Sequence, residues 1–496
     1  MKKHIFTRLP LISATLAGLV AVAPAAALAD NSVTANGVTV VNKGLVGIGR
    51  MPADLRDKFR ETFGSGSGMA IDQAGWTREG DAYKGTLWLL PDRGYNAVGT
   101  TDYRPRLNRI DIEFTPVAPG ATPPADQAQS GVQAKLADSM LLVDDKGADT
   151  TGLDPVGTRA PDGDMPLLPV SPSGKLTLDN EAIVRLADGT MFISDEYGPY
   201  IYRFSADGRL MSATQPPAAL IPMRNGVANF ASNNPGPGES VPDPKDPTSG
   251  RQNNQGLEGM ALTPDGKFLI AVLQSATRQD GGDSGKTRQN TRALVYDAAD
   301  PAHLKLVHEY VVPLPTFTDA KGKTAVAAQS EIVALSPQSF LMLARDSGNG
   351  FGLKGDTSLY RNVTVVDVSA ATDIAGSAFD GDKPVAPKGI VDASVKPATV
   401  TPFIDLNDSA NLGRFGLHNG QPNDRNNLSE KWEAMSLASV RDPNLPDDYF
   451  LFIANDNDFL TQDGYQVGTS YKAEDGANVD TMFQVYQVTL PGIAAK

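Results

Sequence analysis

Acidic residues recur at equivalent positions in four similar segments of the sequence. Each segment begins at or next to a Glu, continues as a short apolar run, turns, and enters a second apolar run. The segments are NEAIVRLADGTMFISDEYG (180–198), LEGMALTPDGKFLIAVLQS (257–275), SEIVALSPQSFLMLARDSG (330–348) and WEAMSLAS (432–439) with DDYFLFIANDND (447–458). The leading acids of the four segments are Glu181, Glu258, Glu331 and Glu433.

A second row of acids stands near the end of the second apolar run. It consists of Asp195, Asp346 and Asp456, and Asp92 ends a fifth, related segment in which Gly68 replaces the leading Glu. Carboxylates at short range raise one another's pKa, and a nearby positive charge reverses this effect. Calcium accepts about six to eight oxygen ligands in a flexible geometry. We therefore expect either a ring of metal-ligating carboxylates or Glu side chains that cap strand ends by accepting backbone N–H bonds.

Arginine and tyrosine residues stand beside several of these acids in the sequence. They are Arg93, Tyr95, Tyr197 and Arg345. Arg forms bidentate hydrogen bonds with phosphate oxygens, and a bound metal ion activates water for ester hydrolysis. An acidic metal cluster bordered by Arg and Tyr therefore suits an anionic ester. The alternative for each Arg is a place on the surface or in the packing between sheets.

The elements that position these residues are predicted to be short β-strands. Asp-Gly turns at 188–189, 207–208 and 265–266 separate apolar runs, which is typical of hairpins. Many short strands with regular turns indicate a sandwich or a propeller, and the Glu-led repeat favours the propeller. We predict one all-β domain over residues 30–496, a β-propeller with six blades or alternatively five. Strand-like segments at 39–48 and 483–490 are expected to pair and close the ring.

The N-terminus has the features of a bacterial-type secretory signal. Lys2, Lys3 and Arg8 precede an apolar stretch, and Ala27-Leu28-Ala29 forms a small-residue cleavage site. We therefore expect residues 1–29 to be removed, with cleavage near Ala29, and the remaining chain to be periplasmic or secreted without membrane insertion. An uncleaved N-terminal membrane anchor is the alternative.

The amino-acid composition limits the kinds of metal site and the classes of partner that the chain can have. The chain has no Cys, only four His and a net charge of −14. Thiolate metal sites are therefore excluded and His-rich zinc sites are disfavoured, whereas oxygen-ligated ions remain available. The acidic balance argues against nucleic acid as a partner, because binding there requires Lys and Arg to neutralise phosphates. The Gly-rich stretch 281–287 lacks the spacing of a phosphate-binding loop, and no G-x-S-x-G nucleophile motif occurs.

Together, these segments resemble the phytase-like family whose domain is described as "esterase-like activity of phytase". The resemblance rests on PDRGYN (91–96), residues 179–204 and 253–275, and the 330–348 segment. The family is similar in general plan to calcium-dependent β-propeller phytases, which hydrolyse phosphate esters with metal-bound water. The resemblance implies metal ligands at Asp92, Glu181, Asp195, Glu258, Glu331 and Glu433. It also implies catalytic roles for Glu181, Glu258 and Glu331, and substrate contacts at Arg93, Tyr197 and Arg345.

Three functions follow as hypotheses. The first is a monomeric, calcium-dependent hydrolase of phosphate esters or related esters that acts on a small anionic substrate. The second is a propeller without catalytic activity that binds a ligand or partner on its loop-rich face. The third is a lactonase-like enzyme, in which Glu181, Asn254 or Asn455, and Asp456 hold a divalent ion.

Overall fold

The computed structural model of this chain describes Met1 and residues 31–96, 99–353 and 355–493. The predicted signal segment and its cleavage site at Ala29 lie outside the described residues, apart from Met1. Among the described residues, no helix has the length and apolar character needed to cross a membrane.

Short β-strands make up the architecture, as the turn pattern predicts. In chain order they are β1 (Asn31–Ala35), β2 (Val38–Met51), β3 (Gly68–Ile71), β4 (Thr77–Glu79), β5 (Ala82–Leu90), β6 (Arg106–Phe114), β7 (Val132–Leu141), β8 (Gly157–Arg159), β9 (Leu168–Val170), β10 (Asn180–Arg185), β11 (Met191–Asp195), β12 (Ile201–Phe204), β13 (Leu210–Thr214), β14 (Met223–Arg224), β15 (Val227–Ala228), β16 (Leu257–Leu262), β17 (Phe268–Leu273), β18 (Asn290–Asp297), β19 (Lys305–Pro313), β20 (Thr316–Thr318), β21 (Thr324–Val326), β22 (Ala328–Ser336), β23 (Ser339–Arg345), β24 (Arg361–Asp367), β25 (Thr399–Asp405), β26 (Trp432–Ser439), β27 (Asp448–Asn455), β28 (Gly464–Gln466), β29 (Thr469–Tyr471) and β30 (Thr481–Thr489).

Helical structure is confined to short segments. The α-helix α1 spans Ser409–Arg414, and its N-cap Asp408 accepts hydrogen bonds from two backbone N–H groups of the first turn. Single-turn 3-10 helices lie at Ala218–Leu220, Arg278–Asp280, Ala378–Asp380, Pro387–Gly389 and Glu474–Gly476. The described chain is therefore all-β, as predicted.

The longer strands form antiparallel four-stranded meanders. Three of them are separate sheets, with the orders β10-β11-β12-β13, β16-β17-β18-β19 and β22-β23-β24-β25. The orders β26-β27-β30-β2 and β7-β6-β5-β3 describe two further meanders, which are joined into one sheet because β2 and β7 are parallel at the pair Gly49–Val132. The Asp-Gly turns at 188–189 and 265–266 connect the first two strands of a meander, and the turn at 207–208 connects the last two. Gly189 takes the positive φ of 85° that such a turn requires.

An apolar layer separates each meander from the next. Leu257 and Leu269 pack with Ala182 and Ile201 of the preceding meander, for example. The other layers have the same character. Burying both faces in this way explains why these strands are continuous apolar runs rather than alternating ones. The first strands β3, β10, β16, β22 and β26 lie side by side in that cyclic order. The fold is therefore propeller-like.

The two ends of the described chain meet in one sheet. The long strand β2 pairs antiparallel with β30, and Leu45 lies opposite Tyr486. The expected pairing of the segments at 39–48 and 483–490 is therefore confirmed.

Close backbone approach explains the segment that lacks its leading Glu. A Cβ atom at Gly68 in β3 would lie 2.2 Å from the carbonyl oxygen of Glu181 in the neighbouring strand β10. No side chain fits in that space, so this strand cannot carry an acid at the position.

Candidate functional site

Each leading Glu lies at an irregularity near the start of the first strand of its sheet. The register of β10 against β11 shifts around Glu181, and shifts of the same kind occur at or beside Glu258, Glu331 and Glu433. A β-bulge adds one residue to a strand and redirects a side chain, and bulges are common next to active sites. The repeat therefore encodes a local backbone distortion as well as an acid.

Asp179, Glu181, Glu196 and Glu258 form the first of two acidic groups, here called the glutamate cluster. Carboxylate oxygens of Asp179, Glu181 and Glu196 lie within 4.8 Å of one another. Glu196 and Glu258 are close enough for a hydrogen bond when one of them is protonated. Glu196 is 2% exposed and Glu258 is 1% exposed.

The glutamate cluster is short of positive charge. Within the described residues, no Lys or Arg nitrogen lies within 4.0 Å of a carboxylate oxygen of Glu181, Glu196 or Glu258. Only Asp179 has such a partner, because Nη1 of Arg93 lies 2.7 Å from its Oδ2. Oε1 of Glu196 and Oε2 of Glu258 are buried, and no donor in the described part of the chain forms a hydrogen bond with either atom. Two buried acceptor atoms are thus left without the partner that such atoms normally have.

Burial raises the pKa of every member of the glutamate cluster. Repulsion from Glu258 and Glu196 adds to the burial effect at Glu181, and its pKa rises well above the usual range. The pKa of Glu258 also rises well above its usual range, through burial and then through repulsion from Glu196. Burial and the neighbouring Asp179 raise the pKa of Glu196 to about 7. The cluster therefore favours protons or another cation.

The second group, here called the lysine cluster, consists of Asp92, Glu433, Asp456 and Asp458 around Lys431. Nζ of Lys431 lies 2.7 Å from Asp456, 3.0 Å from Asp458, 3.4 Å from Glu433 and 3.8 Å from Asp92. Oxygens of the three aspartates lie within 4.8 Å of one another. This group has the density of carboxylates found in the glutamate cluster, but it also contains a cation.

The lysine changes the protonation of its neighbours. Burial disfavours the ammonium charge, yet attraction by the surrounding carboxylates raises the pKa of Lys431 well above its usual range. Burial also opposes ionisation of Asp456, but Lys431 outweighs it and the pKa of Asp456 is lowered. Burial and repulsion from Asp456 raise the pKa of Asp92 well above its usual range. Burial raises the pKa of Asp458 to about 6.

The predicted substrate contacts Arg93 and Tyr197 lie against the glutamate cluster. Nη1 of Arg93 donates to Asp179 and also to Asn254. The Arg93 guanidinium lies 5.9 Å from the ring centre of Tyr197. The Tyr197 hydroxyl donates to the carbonyl oxygen of Gly152 at 2.8 Å, and the side chain is fully buried.

The third predicted contact, Arg345, lies between the sheets that carry Glu331 and Glu433. Its Nη1 donates to Glu430 at 2.9 Å and its Nη2 donates to Glu433. Its Nε is buried, and no acceptor among the residues that the structure describes forms a hydrogen bond with it. Arg345 thus retains one unpartnered N–H donor beside the acidic groups.

Three of the predicted metal ligands accept hydrogen bonds from the main chain, and Oδ1 of Asp92 does so from the N–H of Gly94 at 3.1 Å. Oδ2 of Asp195 accepts from the N–H of Asp179 at 2.7 Å, and its Oδ1 accepts from the N–H of Gly198 at 2.8 Å. Oε1 of Glu331 accepts from the N–H groups of Met260 at 3.1 Å and Ile332 at 2.9 Å. These contacts match the capping alternative that the sequence left open.

Strand register changes the composition of the second acidic row. Asp195 pairs with the residue before Glu181, whereas Asn455 pairs with the residue before Glu433. Glu196, and not Asp195, is therefore the counterpart of Asp456. The sequence comparison aligned the two aspartates because both end an apolar run, and it could not detect the offset of one residue between the strands.

Sequence reasoning missed two residues of the site, Asp179 and Lys431. Each stands two positions before a leading Glu. The backbone carbonyl of each accepts a hydrogen bond from the opposite strand, from Glu196 at 3.0 Å and from Asp456 at 2.7 Å. The shared offset from the leading Glu was the available signal, but a repeat alignment searches for residues of one type and these two have opposite charges.

A comparison with known protein families shows which family the chain belongs to. A family model described as "Phytase-like: Esterase-like activity of phytase" matches residues 61–459. The chain belongs to this phytase-like family. The resemblance stated from the sequence segments is therefore confirmed.

Further comparisons found one similar sequence and several solved structures with weak similarity to this chain. An "Uncharacterized secreted protein" of Arthroderma benhamiae, a fungus, is 40% identical over 456 residues, which cover 85% of this chain and 88% of that protein. Among solved structures, a luciferin-regenerating enzyme matches at 12% identity and a TM-score of 0.28, over 90% of this chain and 96% of that one. An N-acetylgalactosamine deacetylase from F. plautii in complex with blood group B trisaccharide matches at 10% identity and a TM-score of 0.32, over 90% and 95% of the two chains.

The acidic groups of this phytase-like protein have the chemistry that a hard divalent cation requires. Their potential ligands are carboxylate oxygens, which suit calcium or magnesium and do not suit soft metals. The unpartnered oxygens of Glu196 and Glu258 lie in the group that lacks a nearby Lys or Arg for three of its members. The fit to a cation is therefore better at the glutamate cluster than at the lysine cluster.

Proposed function

We propose that this protein is a secreted, metal-dependent hydrolase of phosphate esters or related esters. One observation carries the proposal: the glutamate cluster buries Oε1 of Glu196 and Oε2 of Glu258, and neither atom accepts a hydrogen bond from the residues that the structure describes. A buried carboxylate without a partner is costly, and proteins normally keep such groups where a ligand or a reaction uses them. The secreted location is inferred from the N-terminal signal pattern and from the description of the fungal relative.

In this proposal, Glu181, Glu196 and Glu258 hold a divalent cation, most suitably calcium, with Asp179 beside them. The cation supplies neutralisation of the carboxylates and polarisation of an ester oxygen when it is bound. Arg345 offers its free Nε–H to an anionic oxygen of the substrate. Arg93 is oriented by Asp179 and by the ring of Tyr197, so both residues define the wall of the site on that side.

Other acids of the predicted ligand set have supporting positions in this proposal. Glu331 and Asp195 hold the main chain at the entrances to the inner strands through the hydrogen bonds described above. Asp92 and Glu433 belong to the lysine cluster, and in this proposal they contribute negative charge on the side of the ring away from the glutamate cluster. The catalytic glutamates of the proposal are accordingly Glu181 and Glu258, with Glu331 as a positioning residue.

We propose further that the ring is a propeller with five blades, the alternative to six. The support is that five four-stranded meanders occur among the described residues and that their first strands are neighbours in a cycle. The strands at both chain ends belong to one of these meanders rather than to a sixth.

A second candidate function is favoured by the depth of the acids. Glu181 is 7% exposed, and Glu258 is 1% exposed. A cation held this deeply also fits a propeller without catalytic activity, in which the ion stabilises the ring and a ligand binds elsewhere. The two functions differ in turnover and agree in metal binding.

The test combines metal analysis with a substrate panel. Purified protein, protein dialysed against a chelator, and protein returned to calcium are assayed on p-nitrophenyl phosphate, inositol hexakisphosphate, p-nitrophenyl acetate and a lactone. We expect a bound divalent ion by elemental analysis, and chelation should abolish phosphoesterase activity and lower the melting temperature. Ion binding without turnover on any substrate would favour the second candidate. Absence of a divalent ion from active protein would contradict the proposal.

A matched pair of variants addresses the site itself. Glu258→Gln should reduce calcium affinity by about 10-fold or more and reduce activity in parallel. Glu239→Gln removes the same charge from an exposed loop and serves as the control. Equal calcium affinity in the two variants would mean that Glu258 is not a ligand.

A further inference from the structure

We propose that the ammonium group of Lys431 permanently holds a cation position in the acidic ring, so that divalent cations bind only at the glutamate cluster. This inference rests on the proposed function, because it states how many cations the proposed hydrolase binds and where. It assigns Lys431 the role of a built-in counterion rather than of a substrate contact.

Four carboxylates surround the ammonium group of Lys431. An ammonium group has three N–H donors and no acceptor. Nζ lies at 2.7 Å, 3.0 Å and 3.4 Å from oxygens of Asp456, Asp458 and Glu433, and a fourth carboxylate, that of Asp92, lies at 3.8 Å. These oxygens surround one positive charge, as they would surround a metal ion. Two of its three donors form hydrogen bonds, to Asp456 and Asp458, and the carboxylates of Glu433 and Asp92 complete the negative surroundings of the charge.

The backbone of Lys431 is fixed in position. Its carbonyl oxygen accepts from the N–H of Asp456 at 2.7 Å, so the residue is tied to the strand that carries one of its carboxylate partners. The preceding residue, Glu430, is held by Arg345 at 2.9 Å. The side chain of Lys431 is only 17% exposed. The ammonium group is therefore a stable part of the ring.

The two clusters differ in whether a lysine ammonium group lies among their carboxylates. Among the described residues, two sets of three acids bring ligand oxygens within 4.8 Å of one another, one set in each cluster. The set of Asp92, Asp456 and Asp458 has a cation of the chain beside it. The cluster of Asp179, Glu181, Glu196 and Glu258 instead retains unpartnered buried oxygens on Glu196 and Glu258. A mobile cation is therefore needed in one cluster and displaced from the other.

Removal of the ammonium group should convert the lysine cluster into a second cation site. Lys431→Met keeps much of the length of the side chain and removes its charge, so four carboxylates are left without their common partner. Lys431→Arg keeps the charge and is the first control. Lys43→Met removes a lysine that pairs with the single carboxylate Asp448 at 2.6 Å, and is the second control.

The experiment measures calcium stoichiometry on the full chain. Each protein is freed of metal, equilibrated with calcium chloride, and analysed for bound calcium by elemental analysis and calorimetric titration. We expect Lys431→Met to bind one calcium ion more per chain than the wild type, and both controls to bind the wild-type number. Equal stoichiometry in Lys431→Met and the wild type would overturn the inference.

The same set of proteins shows whether the Lys431→Met chain folds. It also distinguishes failure of the proposed function from failure of this inference. Melting temperatures are recorded with and without calcium, and a Lys431→Met chain that folds only with calcium supports the inference. A chain that is unfolded under both conditions overturns it. If the wild type binds no calcium and Lys431→Met binds one ion, the proposed metal-dependent hydrolase fails while the role of Lys431 stands.

Discussion

The glutamate cluster and the lysine cluster are two versions of one repeat position. Asp179 and Lys431 both lie two residues before a leading Glu, and both accept a backbone hydrogen bond from the opposite strand. In the first cluster this position adds a fourth carboxylate, and in the second it supplies a cation among four carboxylates. A single residue of opposite sign therefore separates a group of four carboxylates from a group in which four carboxylates surround an ammonium ion.

The comparison predicts that removing a charge changes the free energy of unfolding in opposite directions in the two clusters. The largest change is expected for Lys431. In metal-free protein, Lys431→Met should lower the free energy of unfolding by about 3–5 kcal/mol, because it leaves buried carboxylates without their partner. Chemical denaturation checks this value. Lys431→Arg should recover most of the loss, and a loss below about 1 kcal/mol for Lys431→Met would show that the lysine cluster is not held by its ammonium group.

The glutamate cluster should respond in the other direction. Burial and repulsion from Glu196 raise the pKa of Glu258 because they disfavour its ionised form in the folded chain, and the neutral Gln side chain avoids this cost. Glu258→Gln should therefore raise the free energy of unfolding of metal-free protein by about 1–3 kcal/mol. Denaturation curves of Glu258→Gln and of the exposed control Glu239→Gln measure the effect. A destabilised Glu258→Gln would mean that the carboxylate already has a partner in the chain.

The glutamate cluster should also make the free energy of unfolding depend on pH. An acid whose pKa is higher in the folded than in the unfolded chain stabilises the fold at low pH, and this stabilisation is lost as the pH rises through the folded value. The pKa of Glu196 is raised from 4.5 to about 7. Metal-free protein should therefore lose about 3 kcal/mol of stability between about pH 4.5 and pH 7 through this residue. Glu196→Gln should flatten the profile in this range, and saturating calcium should do the same in the wild type. A profile that is equally steep in Glu196→Gln would assign the loss to other groups.

The smallest expected effect concerns the wall of the glutamate cluster. Tyr197→Phe removes a buried hydroxyl that donates to Gly152 and leaves the ring under Arg93 in place. It should cost about 1 kcal/mol of stability and leave the KM for a phosphoester within about twofold of the wild-type value. A large increase in KM at unchanged stability would instead place the hydroxyl in contact with the substrate.

The repeat made much of this architecture predictable. Asp-Gly turns between apolar runs predicted the hairpins, and the leading glutamates marked the first strand of each meander that has one. The pairing of the two chain ends followed from strand-like segments without a partner elsewhere. These features depend on local turn chemistry and on residues that recur in each repeat, which a single sequence displays directly.

The division of the ring into two clusters was not predictable by the same means. It depends on the one-residue register difference that brings Glu196 to the position of Asp456. It also depends on Lys431, whose sequence context is that of an ordinary solvated lysine before a strand. Only the packing of the first strands against one another shows that four acids converge on it.

The pairing of β2 with β30 also sets the order in which the molecule is completed. Synthesis produces β2 long before β30, so this sheet lacks a strand until β30 has been made. Pairing across such a long separation is slow, since the loop must close before its contacts form. Asp92 comes from the early part of the chain, and its partners Asp456 and Lys431 come from the late part. The lysine cluster therefore forms late in folding. A chain that stops before β30 lacks the complete sheet that carries this cluster.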